Sequence, residues 1–169
     1  MRSVLKVLTW NTQGTKSKAF ELEEAIDYMS PDVLFLQETL EKEELKLCGF
    51  KTLHRKTEDG PGKQGVGIAV HKDFSLSELG GESPYFCLGD VKGGRLTVGS
   101  VYIPCTAQTE TMELLGKEMR RLIVSKERIL LGGDWNMSRK ELERESKKWL
   151  LETKIVDSSG SELSRHGYS

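Results

Sequence analysis

Arg128-Ile129-Leu130-Leu131-Gly132-Gly133-Asp134-Trp135-Asn136 reads as an apolar strand that stops on a carboxylate and an amide two residues apart. Three other apolar runs end in the same manner: Val4 to Trp10 stops at Asn11, Val33 to Gln37 at Glu38, and Leu96 to Val101 at Tyr102. One such ending could be an accident of loop composition. Polar groups delivered from several strand ends can converge on one point, which is how a reactive centre is assembled.

Working outward, the spacing predicts a helix between the first two runs. Ser17 is placed to cap it, Ala19, Leu22, Ala25, Ile26 and Met29 recur at helical intervals, and Ser30-Pro31 ends it. Val33 to Gln37 is a continuous apolar run, expected of a strand covered on both faces. A short charged helix is expected from Glu41 to Leu47, then a strand from Phe50 to His54 and a loop from Lys56 to Gly65. Strands without helices follow at Val66–Val70, Leu76–Leu79, Tyr85–Val91 and Leu96–Val101, with Lys92-Gly93-Gly94-Arg95 as a hairpin turn. Thr109 to Val124 has the pattern of an amphipathic helix. Ser138-Arg139-Lys140-Glu141 has the form of a capping box opening a helix through about Leu151. The apolar run Val33 to Gln37 argues against a helical phosphodiesterase fold.

A chain of 169 residues, 37% hydrophobic, fits a single domain over residues 1–169. Its formal net charge of −1 supplies no global cationic field, so a polyanion must be held by local residues or a metal ion. Three cysteines without CxxC spacing argue against a disulfide framework and a zinc site, and point to a reducing compartment. No apolar run reaches the roughly 18 residues of a membrane span. The expectation is a soluble, intracellular monomer of nucleus or cytoplasm with no membrane partner.

Cleaving a phosphate ester requires neutralised charge on the phosphoryl and leaving oxygens and a positioned, partly deprotonated water. Glu38 suits a hard divalent cation, Mg²⁺ with Mn²⁺ as the substitute, and Asn11 could complete its shell with a neutral oxygen. Asp134 is a candidate to deprotonate the water, Asn136 to bond the phosphate or the metal's waters, and Tyr102 to donate to a phosphoryl oxygen. Lys56, Lys63, Arg139 and Lys140 lie near the site loops and are candidates for phosphate contact, with Lys63 and Arg139 assigned to substrate binding. Lys117, Arg120, Arg121, Lys126 and Arg128 read first as a solvated helix face. His54 and His71 are expected at the surface without a role. Taken singly, Asn11 is a turn residue, Tyr102 a sheet-rim residue and Glu38 a local cap. Asp134 with Asn136 is stronger, because Gly132-Gly133 places no side chain beside them and lets a ligand approach. Jointly they favour function over structure.

These segments resemble the metal-dependent endonuclease/exonuclease/phosphatase superfamily, which includes DNase I-like nucleases, abasic-site endonucleases and the endonuclease domains of non-LTR retrotransposons. The resemblance rests on Thr9-Trp10-Asn11-Thr12-Gln13-Gly14, Pro31-Asp32-Val33-Leu34-Phe35-Leu36-Gln37-Glu38-Thr39, Gly65 to Val70, Val101-Tyr102-Ile103-Pro104 and Leu131 to Asn136. It implies a four-layered α/β sandwich and Mg²⁺-dependent hydrolysis of phosphodiesters, most like a retrotransposon-type or repair-type DNA endonuclease. By resemblance Asn11 and Glu38 match the metal site, Tyr102 the transition-state tyrosine, Asp134 the water-activating aspartate and Asn136 its phosphate-binding neighbour. The family pattern continues with an aspartate-bearing strand and a Ser-Asp-His end, which this sequence lacks. Ser164-Arg165-His166 follows Asp134 too soon, and Ile155-Val156-Asp157 matches the region just before those strands. The expectation is therefore a domain incomplete at its C-terminus, lacking its last strands. An inositol-phosphate or phospholipid phosphodiesterase of the same superfamily is the second reading, and a catalytically inactive fragment the third.

Overall fold

The computed structural model describes residues 4–149, apart from 61, 62, 82 and 127. Ile155-Val156-Asp157, Ser164-Arg165-His166 and the Leu150-Leu151 end of the last predicted helix lie outside the described residues.

The first unit is β1 (Val7–Asn11), α1 (Ala19–Met29) and β2 (Val33–Gln37), with β1 and β2 parallel and in register from Val7↔Val33 to Asn11↔Gln37. Every residue of β2 is buried. Its side chains alternate, so Val33 and Phe35 enter the space between the two sheets while Leu34 and Leu36 meet Leu22 of α1. β3 (Phe50–Arg55) and β4 (Val66–His71) complete the first sheet in the order β1-β2-β4-β3. The second sheet runs β5 (Leu76–Leu79), β6 (Phe86–Val91), β7 (Leu96–Tyr102), β8 (Ile129–Asp134) in spatial order. Lys92, Gly93 and Gly94, all at positive φ, make the turn between β6 and β7.

α2 (Gln108–Leu122) and α3 (Arg139–Lys147) cover the outer face of the second sheet through Met112, Leu115, Met119, Leu122 and Leu142. The layers are thus α1, sheet, sheet, and α2 with α3, the four-layered α/β sandwich that was expected. The predicted capping box is present: Ser138 Oγ accepts from Glu141 N at 3.3 Å, and Glu141 Oε2 from Ser138 N at 2.7 Å. Among the described residues no helix is long and apolar enough to cross a membrane.

Four local expectations are corrected. Glu41 to Leu47 is not helical, because Glu41 is buried and committed to Thr15 Oγ1 (2.8 Å) and Lys16 Nζ (3.3 Å), which hold the segment against the β1–α1 loop. Ser17 does not cap α1; its hydroxyl turns back to donate to the Gly14 carbonyl at 2.9 Å. Lys126 is not a solvated helix residue, since it is drawn in to Asp90 at 2.5 Å. The fourth concerns Gly132 and Gly133, which packing requires: a Cβ at Gly132 would lie 2.3 Å from the Phe35 ring, and one at Gly133 1.9 Å from the Val101 carbonyl oxygen. Their bareness serves the approach of sheet to sheet and strand to strand, where a ligand had been expected.

Candidate active site

Parallel pairing decides where the polar ends fall. Asn11 pairs with Gln37, so Glu38 leaves β2 beside the end of β1, and Tyr102 pairs with Asp134 at the matching end of the second sheet. Ligands in open α/β sheets sit outside the carboxyl ends of parallel strands, and here two such ends face each other across the sandwich.

Asn11 joins them. Its Nδ2 donates to Glu38 Oε1 and to Asp134 Oδ2, each at 3.0 Å, so one amide nitrogen serves two carboxylates from different sheets. Asn11 Oδ1 accepts from Gln13 N at 3.3 Å. The Tyr102 hydroxyl lies near the Glu38 and Asp134 carboxylates; burial first, then the negative charge of Glu38 and of Asp134, push its pKa up to about 12. At neutral pH this phenol keeps its proton and can only donate when it meets an anion. Cys105 lies close enough to add to that shift.

Asn136 holds a left-handed φ of 46°, a conformation asparagine tolerates better than most residues. Its N–H donates to Asp134 Oδ1 at 3.2 Å, its Nδ2 to the Ile103 carbonyl at 2.8 Å, and its own carbonyl accepts from Gln108 Nε2 at 2.5 Å. These bonds fix the turn that carries Asp134. Lys63 and Arg139 each carry an ion pair. Lys63 pairs with Glu58 at 3.4 Å and lines a groove of about 480 Å³ with Tyr85 and Lys117, while Arg139 pairs with Glu143 at 2.8 Å.

Among the described residues no group of three or more His, Cys, Asp and Glu side chains comes together. A cation would therefore rest on the hard carboxylate oxygens of Glu38 and Asp134; Asn11 meets both through Nδ2 and would add its oxygen only by turning its amide over. That set fits Mg²⁺, which is held by one or two carboxylates with water and substrate oxygens completing its shell. Two carboxylates brought to one point with only neutral donors between them are also a charge arrangement that a divalent ion relieves.

Some participants carry no sequence signal. Gln108 supports Asn136 from the start of α2. His54, expected at the surface, is half-buried: its Nε2 lies 2.8 Å from Thr39 Oγ1 and its Nδ1 3.1 Å from the Glu43 carbonyl oxygen. Burial, the largest cause, lowers its pKa. Partners so far apart along the chain become visible only once the sheet is built.

Residues 8–147 match the Endonuclease/Exonuclease/phosphatase family. No curated protein matches the sequence. Among solved structures, the APE2 catalytic domain of Xenopus laevis is similar over 86% of this chain and 66% of that one, at 16% identity and a TM-score of 0.67. The 3′ phosphatase NExo from Neisseria, bound to a product DNA hairpin, matches 87% of this chain and 70% of that one (13% identity, TM-score 0.65). The endonuclease domain of TRAS1, a telomere-specific non-LTR retrotransposon, matches 80% and 62% (17% identity, TM-score 0.59). The chain spans 66% of the length of the APE2 domain and 62% of that of the TRAS1 domain.

Proposed function

The chain belongs to the Endonuclease/Exonuclease/phosphatase family, a family of phosphoester hydrolases, and from that premise we propose that it is a Mg²⁺-dependent phosphodiesterase acting on DNA. The observation that carries this reading is the single Asn11 amide bonded to carboxylates from both sheets, with Tyr102 near enough for their charges to raise its pKa. DNA is favoured over inositol phosphates because the similar structures include a DNA-bound 3′ phosphatase and a retrotransposon endonuclease domain.

In this reading Asp134 takes the proton of a water that attacks phosphorus, and the bond from phosphorus to the leaving oxygen breaks. Asn11 holds the Asp134 carboxylate in place through Oδ2, and the Asn136 N–H holds it through Oδ1. Tyr102, protonated, donates to a phosphoryl oxygen as negative charge grows there. Glu38 would hold the divalent ion, which when bound supplies charge neutralisation on the phosphate and the leaving oxygen, and Asn11 would join it by turning its amide oxygen inward in exchange for its bonds to the carboxylates. Asn136 has one Nδ2 hydrogen left for phosphate after bonding Ile103.

The test is nicking of supercoiled plasmid with Mg²⁺ present. Wild type should nick and Asp134→Asn should not; equal nicking by the two would overturn the assignment. Inhibition by an inositol polyphosphate at concentrations that match DNA would move the substrate class to the second reading.

A further inference from the structure

Glu38 and Leu40 both hold left-handed backbone, at φ 48° and 54°, and bracket Thr39, which is fully buried. A left-handed L-residue costs about 1–2 kcal/mol, so this stretch keeps its shape only because its surroundings impose it. On one side the β1–α1 loop donates Gly14 N to the Glu38 carbonyl at 2.8 Å and Thr15 N to the Thr39 carbonyl at 2.9 Å. On the other, Thr39 N and Leu40 N donate to the Gly65 and Gln64 carbonyls at 3.2 and 2.9 Å. A Cβ at Gly65 would fall 2.2 Å from Thr39 Oγ1, so only glycine lets that strand entry close on the threonine.

The remaining contact is between side chains. A carbonyl only accepts, so the His54 nitrogen facing Glu43 carries the ring proton, and Nε2 accepts from the Thr39 hydroxyl at 2.8 Å. Packing alone would be served by valine and an apolar ring. The hydroxyl–imidazole bond adds direction: it ties the residue after Glu38 to β3, a strand at the far edge of the same sheet.

We propose that Thr39 and His54 are a positioning pair that sets the Glu38 carboxylate for cation binding. The inference rests on the reading of Glu38 as a cation ligand. Partners that orient a ligand from behind typically contribute about 10- to 100-fold in metal affinity.

The experiment is Mn²⁺ binding followed by electron paramagnetic resonance, at a temperature well below unfolding, for wild type, Thr39→Val, Thr39→Ser and His54→Phe. Thr39→Val and His54→Phe should each weaken Mn²⁺ binding about tenfold or more. Thr39→Ser, which keeps the hydroxyl, should restore most of it. Wild-type affinity in a folded Thr39→Val protein would overturn the proposal, since a purely structural threonine would change the melting temperature and leave the ion bound as before. If Thr39→Val does not fold, His54→Gln, at the more accessible partner, decides by the same criterion. Absence of Mn²⁺ binding by wild type would overturn the cation reading itself, and is told apart because it precedes any substitution.

Discussion

Two strand–helix–strand units build the site, and they hold their carboxylates by different means. In β1-α1-β2 the acidic residue follows a strand buried along its whole length, and its loop is clamped by backbone hydrogen bonds on both sides. In β7-α2-β8 the acidic residue ends an edge strand, where Leu130 is 37% exposed, and its turn is held mainly by the side chains of Asn136 and Gln108. The first unit places Glu38 through backbone shape imposed by the fold. The second places Asp134 through a few replaceable polar bonds. Substitutions in the loop after Glu38 should therefore register in the backbone and in stability, and those at the Asp134 carboxylate itself in chemistry before stability, whereas β8 behind it is tightly packed at Gly132 and Gly133.

The largest effect expected is on turnover. Asp134→Asn should lower DNA nicking by about 10³-fold, within the range of a lost general base, with a modest fall in melting temperature, because its single amide oxygen keeps only one of the two bonds from Asn11 and the Asn136 N–H. A variant that unfolds, or one that nicks normally, would break the contrast between the units. Next in size is packing: Gly133→Ala puts a methyl against the Val101 carbonyl and Gly132→Ala one against Phe35, each costing about 1–3 kcal/mol by urea denaturation.

A paired exchange sharpens the comparison further. Leu40→Asn should stabilise by up to about 1 kcal/mol, because a half-exposed leucine gives up left-handed strain. Asn136→Leu should destabilise by a similar amount or more, since it adds that strain and removes the bond to Ile103. Shifts in the urea midpoint with the opposite signs would show that local strain is not what distinguishes the two turns.

The smallest effect concerns pH. Burial holds the His54 pKa below its ordinary value, with Glu44, Glu41 and Lys56 facing the ring. A depressed folded pKa contributes stability that is complete above the unfolded value, near 6.5, and is lost as pH falls through the folded one. Melting temperature should thus drop more steeply between pH 7 and pH 5 for wild type than for His54→Phe; parallel slopes would remove the ring from the account.

Much of the framework was legible because continuous apolar runs and helical spacing report burial directly. β2, β4, β7 and α2 lie within a residue or two of their predicted positions. Asn11, Glu38, Tyr102, Asp134 and Asn136 were each marked by the same sign, a polar residue at the end of an apolar run. What stayed hidden depends on partners distant in sequence. The charged stretch after Glu38 favours a helix locally, and Thr15 with Lys16 captures Glu41 instead. Gly132 and Gly133 suggested open space until Phe35 and Val101 were placed against them. The partners of Lys63 and Arg139, Glu58 and Glu143, likewise had no sign in the sequence reading.

The most direct test is a crystal structure of the Mn²⁺-soaked protein with anomalous scattering recorded at the manganese edge. One strong peak is expected in contact with the Glu38 carboxylate, on the side where Asp134 and Asn11 converge. A peak at another cluster, or Glu38 and Asp134 turned to separate regions of the surface, would contradict it.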